Sequence, residues 1–246
     1  MSRALQLSAP VAEKAVVIVQ SSYIPWKGFF DLIDGVDELV LFDDVQFVKR
    51  SWRNRNAIKT PRGVQWLTIP VRVKGRYSQR IDEVEVVDPR WAEKHWRAIT
   101  HNYAPTPYFD EFAPRFERLY AEAGEIERLS EINRRFIVAV CDVLGIDTAI
   151  TSSTDYPSAG RRSERLISVC RLAGATHYRS GPSARAYLDE SAFTAAGIEV
   201  SYMSYEGYPE YPQRFPPFEH HVSVLDLLFN TGPNARRYMR TAEARS

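Results

Sequence analysis

The stretch "VVIVQSSYIPWKGFFDLI", residues 16–33, decides the fold of this chain. Its first four residues are β-branched and apolar, the run expected of a buried strand. Gln20, Ser21 and Ser22 then interrupt it. From Trp26 the period changes: Phe29, Leu32, Ile33 and Val36 recur at i, i+3, i+4 and i+7, one apolar face of a helix. Pro25 suits a first helical turn, where a missing N–H costs nothing. The spacing predicts a strand over 16–20, a helix over 25–35 and a polar junction between them. A helix start there would offer free N–H groups and a positive dipole end to a phosphate or carboxylate. Tyr23 and Trp26 could stack on a base or sugar. The same residues also fit a structural role, with the serines capping the helix and the aromatics packed.

Working outward, the alternation continues. Residues 39–42 in "DELVLFDDV" read as a second buried strand, "VQWLTIPVRV" (64–73) as a third and "RIDEVEVVD" (80–88) as a fourth. Residues 89–145 read as helical, with a Pro-broken join at 105–107. "TAITSSTDY" (148–156) returns to a strand, and Ser163 can cap a following helix with Gly174 near its end. Residues 176–188 read as strand, turn and helix, 198–205 as a strand and 222–232 as a final helix. Strands alternating with helices predict an α/β fold, a parallel-sheet core flanked by helices. Residues 16–71 should supply the first half of that sheet, and 89–145 a helical insertion. Residues 14–236 form the expected single domain between flexible tails at 1–13 and 237–246.

Composition sets bounds on function. The chain has 246 residues, 44% hydrophobic and 26% charged, an ordinary globular balance. A net charge of +1 provides no global field toward nucleic acid or an anionic membrane. Cys141 and Cys170 both lie in apolar helical surroundings, so neither a disulfide framework nor a CxxC metal pair is expected. No apolar run approaches the roughly 18 residues that span a bilayer, and the first residues do not read as a signal peptide. The expectation is a cytoplasmic protein without metal or cofactor; His220 and His221 lack a spaced histidine partner.

In parallel sheets ligands bind beyond the carboxyl ends of the strands. Three polar junctions are expected there: Gln20 to Tyr23, Asp43 to Gln46, and Ser180, Gly181 and Ser183. Asp43 and Asp44 could hold a divalent ion with a substrate phosphate, act as a general base, or pair with nearby arginines. Were residues 53–56 to open a helix, Arg53 and Asn56 would share a face, with Arg55 elsewhere beside Asn54. One arginine would then bind a substrate anion and the other would hold Asp43 or Asp44. His177 is either structural or a base for an attacking amine. Asp226, a lone carboxylate on an apolar helix, should meet an arginine or tyrosine at the site's edge. Tyr208, Tyr211 and Gln213 would shape one wall. Cys170 belongs to the core.

These segments carry a resemblance. "QSSYIPWKGFFDLI", "DDVQFVKRSWRNRNAIKT", "WLTIPV", "RLAGATHYRSGPSARAYL", "YPQRFPPF" and "SVLDLLFNTG" resemble, in order over roughly 15–233, the signature of the WbqC-like family. Ser21 stands where the family commonly has Pro. The resemblance implies a role in bacterial surface-polysaccharide or natural-product biosynthesis. It implies an N-acyl or aminoacyl transferase, moving a glycyl group for example onto an amino sugar or similar amine. The donor would be an acyl or aminoacyl carrier protein, an acyl adenylate or an aminoacyl-tRNA, with no membrane or DNA partner. The other reading is a non-catalytic binder of a nucleotide sugar or a carrier protein. On the transferase reading Asp44, His177 and Asp43 are the catalytic candidates. Gln20, Ser22, Tyr23, Trp26, Gln46, Arg53, Asn54, Arg55, Asn56, Ser180, Gly181, Ser183, Tyr211, Gln213 and Asp226 bind substrate. The opening strand–helix–strand is also similar to HUP-type, Rossmann-like nucleotidyl transferases. Their His-x-x-His-like motif has no counterpart here, since the first histidine is His95. That likeness implies a nucleotide-shaped cleft without adenylyl transfer.

Overall fold

The computed structural model describes residues 13–240. In chain order the elements are β1 (Ala15–Val19), α1 (Lys27–Ile33), β2 (Glu38–Leu41), β3 (Arg55–Thr60), β4 (Gly63–Thr68), α2 (Trp91–Tyr103), α3 (Phe109–Gly124), α4 (Leu129–Leu144), β5 (Ala149–Ser152), α5 (Ser163–Leu172), β6 (His177–Ser180), α6 (Glu190–Ala195), β7 (Glu199–Tyr202) and α7 (Val224–Thr231). Five strands form one sheet in the order β5-β2-β1-β6-β7, each pair of neighbours parallel. The chain steps outward from β1 through β2 to β5, then crosses to β6 on the other side of β1. Such a switch point leaves a crevice at the carboxyl ends of the strands.

A parallel sheet must hide both faces, and the period of two along each strand accomplishes it. Val17, Leu39 and Leu41 face the larger core, filled by Phe30 of α1, Ile99 of α2, Phe116 of α3, Phe136 of α4 and Phe229 of α7. Val16, Ile18 and Val40 face a smaller core with Ile167 and Cys170 of α5 and Phe193 of α6. The architecture is α/β, with helices on both faces of the sheet.

The structure corrects four expectations. Residues 16–71 do not contribute continuously to one parallel sheet. Strands β3 and β4 pair antiparallel in a separate two-stranded sheet. Only Pro61 and Arg62 separate the paired Thr60 and Gly63, and a parallel partner needs a crossover of a dozen residues or more. Residues 55–60 are strand rather than helix, so the helical placement of Arg53, Asn54, Arg55 and Asn56 does not hold. The expected strand over 80–88 is a short 3-10 turn, Ile81–Glu83, flanked by isolated bridges. Of the expected tails, residues 1–12 and 241–246 lie outside the described residues. Residues 237–240 are part of the fold, where Met239 is buried and the Arg240 backbone donates to Asp31.

Candidate functional site

A cleft of about 1080 Å³ opens at the switch point. Gln20 leaves β1 into it, and Ser180, Gly181 and Ser183 follow β6 along its floor. One wall is the entry to α5, where Arg161, Arg162 and Arg165 line the space. Gly160 (φ 93°) and Arg162 (φ 51°) turn the backbone through the left-handed region there. Arg165 is ion-paired with Asp44, which also accepts from the Ser153 hydroxyl at 2.7 Å. Arg161 and Arg162 are exposed and pair with no carboxylate among the described residues. Arg53 and Tyr205 complete the opposite wall. Four guanidinium groups around one crevice, with strand-end hydroxyls beneath, suit a ligand carrying several anionic oxygens.

A second compartment of about 210 Å³ adjoins it and shares Val19, Leu32, Arg53 and Tyr205. Its lining is aromatic: Trp26, Phe29, Trp52 and His221. Trp26 stands edge-on to Tyr205 with centroids 5.1 Å apart and lies 5.0 Å from the His221 ring. Its indole covers the α-carbon of Gly28, where an added Cβ would come within 2.2 Å of it. The junction loop is clamped from behind by Asn56, whose side-chain amide donates to the carbonyls of Tyr23 and Ile24 at 3.1 and 2.7 Å. Ile24 has φ 34°, rare for a β-branched residue and tolerated only under such constraint.

Arg53 stands between the two compartments. Its Nη1 donates to the Gln20 carbonyl at 2.7 Å, and burial draws its pKa down to about 10 against the attraction of Asp43. Asp43 is itself 4% exposed and accepts from the Ser21 backbone N–H at 2.8 Å. Burial raises its pKa despite the Ser21 hydrogen bonds and the Arg53 charge.

The structure sorts the expected site residues into those that converge and those that do not. Gln20, Arg53, Ser180, Gly181 and Ser183 line the large cleft; Ser22, Trp26, Arg53 and Asn56 line the aromatic compartment. Tyr23 points the other way. Its hydroxyl meets His95 Nδ1 at 2.9 Å and the Tyr120 hydroxyl at 2.8 Å in the larger core. Asn54 donates to the Ile69 carbonyl, Arg55 lies over the Trp66 ring and exposed Gln46 donates to the Tyr77 carbonyl. Asp43 lies behind Arg53 rather than in either lining, and Asp44 is engaged by Arg165. His177 stands at the amino end of β6 opposite Ala15, about 17 Å of strand away from Gln20. There it bonds Ser201 at 2.6 Å and lines a separate hollow with Arg179 and Arg240. Asp226 meets tyrosines as expected, but deep in the core. Tyr103 donates to it at 2.8 Å, and Tyr211 and Gln213 at 2.7 Å each.

Helix α1 spans seven buried residues, with Trp26 as its N-cap. The arginine-rich wall of the cleft comes from "GRRSER" (160–165), three arginines in six residues at a helix entry. That density was the available signal; reading Ser163 as a cap passes over it, and the structure instead makes Arg162 the N-cap, with the Ser163 hydroxyl accepting from the Asp189 backbone N–H at 3.1 Å. His221 and Tyr205 carried no comparable signal, since neither belongs to a spaced motif.

Cys141 and Cys170 are buried, and burial pushes both thiols up to about 12. Neither is a thiolate near neutral pH.

A profile of the WbqC-like protein family matches residues 20–238. A protein of Mycobacterium tuberculosis (strain ATCC 25618 / H37Rv), described as "Uncharacterized protein Rv1507c", is 49% identical over 227 residues, 92% of this chain and 98% of that protein. No solved structure matches. Among the described residues no helix is long and apolar enough to cross a membrane.

Proposed function

This chain belongs to the WbqC-like protein family, and from that premise we propose that it forms an amide by direct transfer of an aminoacyl or acyl group, glycyl for example, to the amine of an amino sugar or natural-product intermediate. The carrying observation is Arg53, which lines both compartments at their junction. The arginine wall suits the phosphates of a nucleotide-linked amine, as the strand order of a doubly wound, Rossmann-like sheet suggests. The aromatic compartment suits a small activated acyl group. The amine nitrogen attacks the acyl carbon, the C–N bond forms, and the C–O or C–S bond to the donor breaks. The leaving oxygen or sulfur takes the proton that the nitrogen gives up. Arg53 keeps donors beyond the one held by Gln20 and can face the developing oxyanion.

His177 and Asp44, the bases expected from sequence, are poorly sited for this chemistry, one remote and one ion-paired. His221 is the imidazole that lines the aromatic compartment, and we assign it the proton transfer. Base catalysis contributes about 10²–10⁴-fold, so His221→Gln should lose that order in kcat with folding intact. Arg53→Lys should lose rate as well, because lysine lacks the bidentate fork. Incubation with labelled donor alone should leave no adduct on the protein, since both cysteines are buried and neither lines the cleft. A trapped acyl-enzyme would overturn direct transfer, and an unchanged rate in His221→Gln would overturn the assigned base. A second reading, non-catalytic binding of a nucleotide sugar or carrier protein, is favoured by the engagement of Asp44 with Arg165. Tight binding without turnover over a panel of donors and amines would select it.

A further inference from the structure

Charge is distributed very unevenly along this chain. Ten of its 32 Lys and Arg, and none of its 31 Asp and Glu, lie between residues 45 and 81. This segment holds the β3–β4 hairpin and the turns around it. Val64, Trp66 and Thr68 share one face of β4, opposite Lys59, Ala57 and Arg55 in register. Trp66 is 45% exposed and Trp52 44% exposed, with ring centroids 5.3 Å apart. The Arg55 guanidinium lies over the Trp66 ring at 4.3 Å. Lys49, Arg50 and Arg62 belong to the same segment, are exposed, and pair with no carboxylate among the described residues; Lys49 lies over the Tyr77 ring at 5.0 Å. Arg72, Arg76 and Arg80 are partly neutralised by Asp82, Glu83 and Glu85, so the charge without an ion pair among the described residues includes Lys49, Arg50 and Arg62 on the Trp52–Trp66 side of the segment. Trp52 also lines the aromatic compartment, which makes the platform continuous with it.

We propose that this hairpin face docks the unpaired 3′ end of an aminoacyl-tRNA and feeds its ester into the aromatic compartment; naming the donor in this way rests on the amide-forming reading above. Exposed flat rings stacked with a guanidinium suit unpaired bases, because every base has a π face. The flanking cations suit backbone phosphates. A folded acidic carrier protein would satisfy the charges but would offer no planar groups to the rings. In the transfer, the C–O bond from the acyl carbon to the terminal ribose breaks, and the ribose hydroxyl departs with the proton released by the amine.

The test is fluorescence anisotropy with labelled, deacylated bulk tRNA and with a short single-stranded RNA ending in CCA. Poly-glutamate and an apo acidic carrier protein serve as competitors. Both RNAs should bind, and neither competitor should displace them at equal charge. Trp66→Ala should weaken binding about tenfold and Trp66→Tyr should restore it, since tyrosine retains a stacking face. Lys49→Glu and Arg62→Glu should each reduce the dependence of log K on log salt by about 0.7. Unchanged binding in Trp66→Ala, with its thermal melt intact, would overturn the proposal. So would displacement by the carrier protein, or a protein dimer that Trp66→Ala dissociates. The two readings fail separately. RNA binding without amide formation from any donor removes the catalytic reading and leaves this surface standing. Transfer from a simple thioester in a protein that ignores RNA removes this surface and leaves the catalysis.

Discussion

His95 is an imidazole whose charge the fold does not accommodate. Its ring lies in the larger core against Tyr23 and Trp91, and burial lowers its pKa from 6.5 to about 4 against a weaker pull from the Thr68 backbone. The unfolded chain therefore binds the proton more readily than the folded one between those values. The stability that neutral His95 contributes is present above about pH 6.5 and is lost as the pH falls toward 4, about 3 kcal/mol in all. Urea midpoints of the protein and of His95→Gln, taken at about pH 7 and about pH 4.5, should show a shallower loss in the variant; equal slopes would mean that His95 does not titrate as described. Tyr23 shows why single residues were hard to assign from sequence. Its type was read correctly as a polar aromatic, but its direction depended on whether His95 and Tyr120, 72 and 97 residues away, waited behind it. Asp226 is a similar case, its tyrosine partners anticipated and its depth not.

Among the elements, α1 exposes a dependence between two neighbouring residues. Gly28 lies under the Trp26 indole, and a methyl group there must displace the ring. Gly28→Ala should cost about 1–3 kcal/mol by overpacking, read as a melting-temperature loss of roughly 2–4 °C per kcal/mol at this size. Calorimetry checks it; an unchanged melt would show that the ring yields freely. The elements that sequence revealed are those that bury an apolar run or stripe, as β1, β2 and α2 to α4 do. Strand β3 escaped because its sequence, "RNAIKT", is polar although all but Arg55 are buried. Its polar groups are consumed by distant carbonyls: Asn56 holds Tyr23 and Ile24, and Lys59 donates to Pro217 at 2.6 Å. Such partners satisfy buried donors at little net cost, but periodicity does not register them.

On the scale of the whole molecule, the cleft lies where two unequal cores meet. Arg161 and Arg162 lead into α5 and Arg165 lies on it, anchored in the smaller core, while Trp26 packs against the larger one. The smaller core has fewer buried side chains, and the short edge strand β7 is half-buried, so α5, α6 and β7 should open before α4 and β1. Hydrogen exchange should show their amides exchanging faster, and a ligand bridging the walls should slow α5; equal protection across both layers would contradict this. The place of the crevice was legible in advance, because strand ends at a switch point fix it, whereas its far wall depended on how α5 turned over it. The uneven charge of the 45–81 segment has a last consequence. Its formal +10 leaves the other 22 basic residues against 31 acidic ones, a formal −9. Near the isoelectric point of about 7.8 the protein is thus formally near neutral but carries its charge unevenly along the chain. It should adhere to cation and anion exchangers alike, and at low ionic strength its copies should attract hairpin to back until salt screens them.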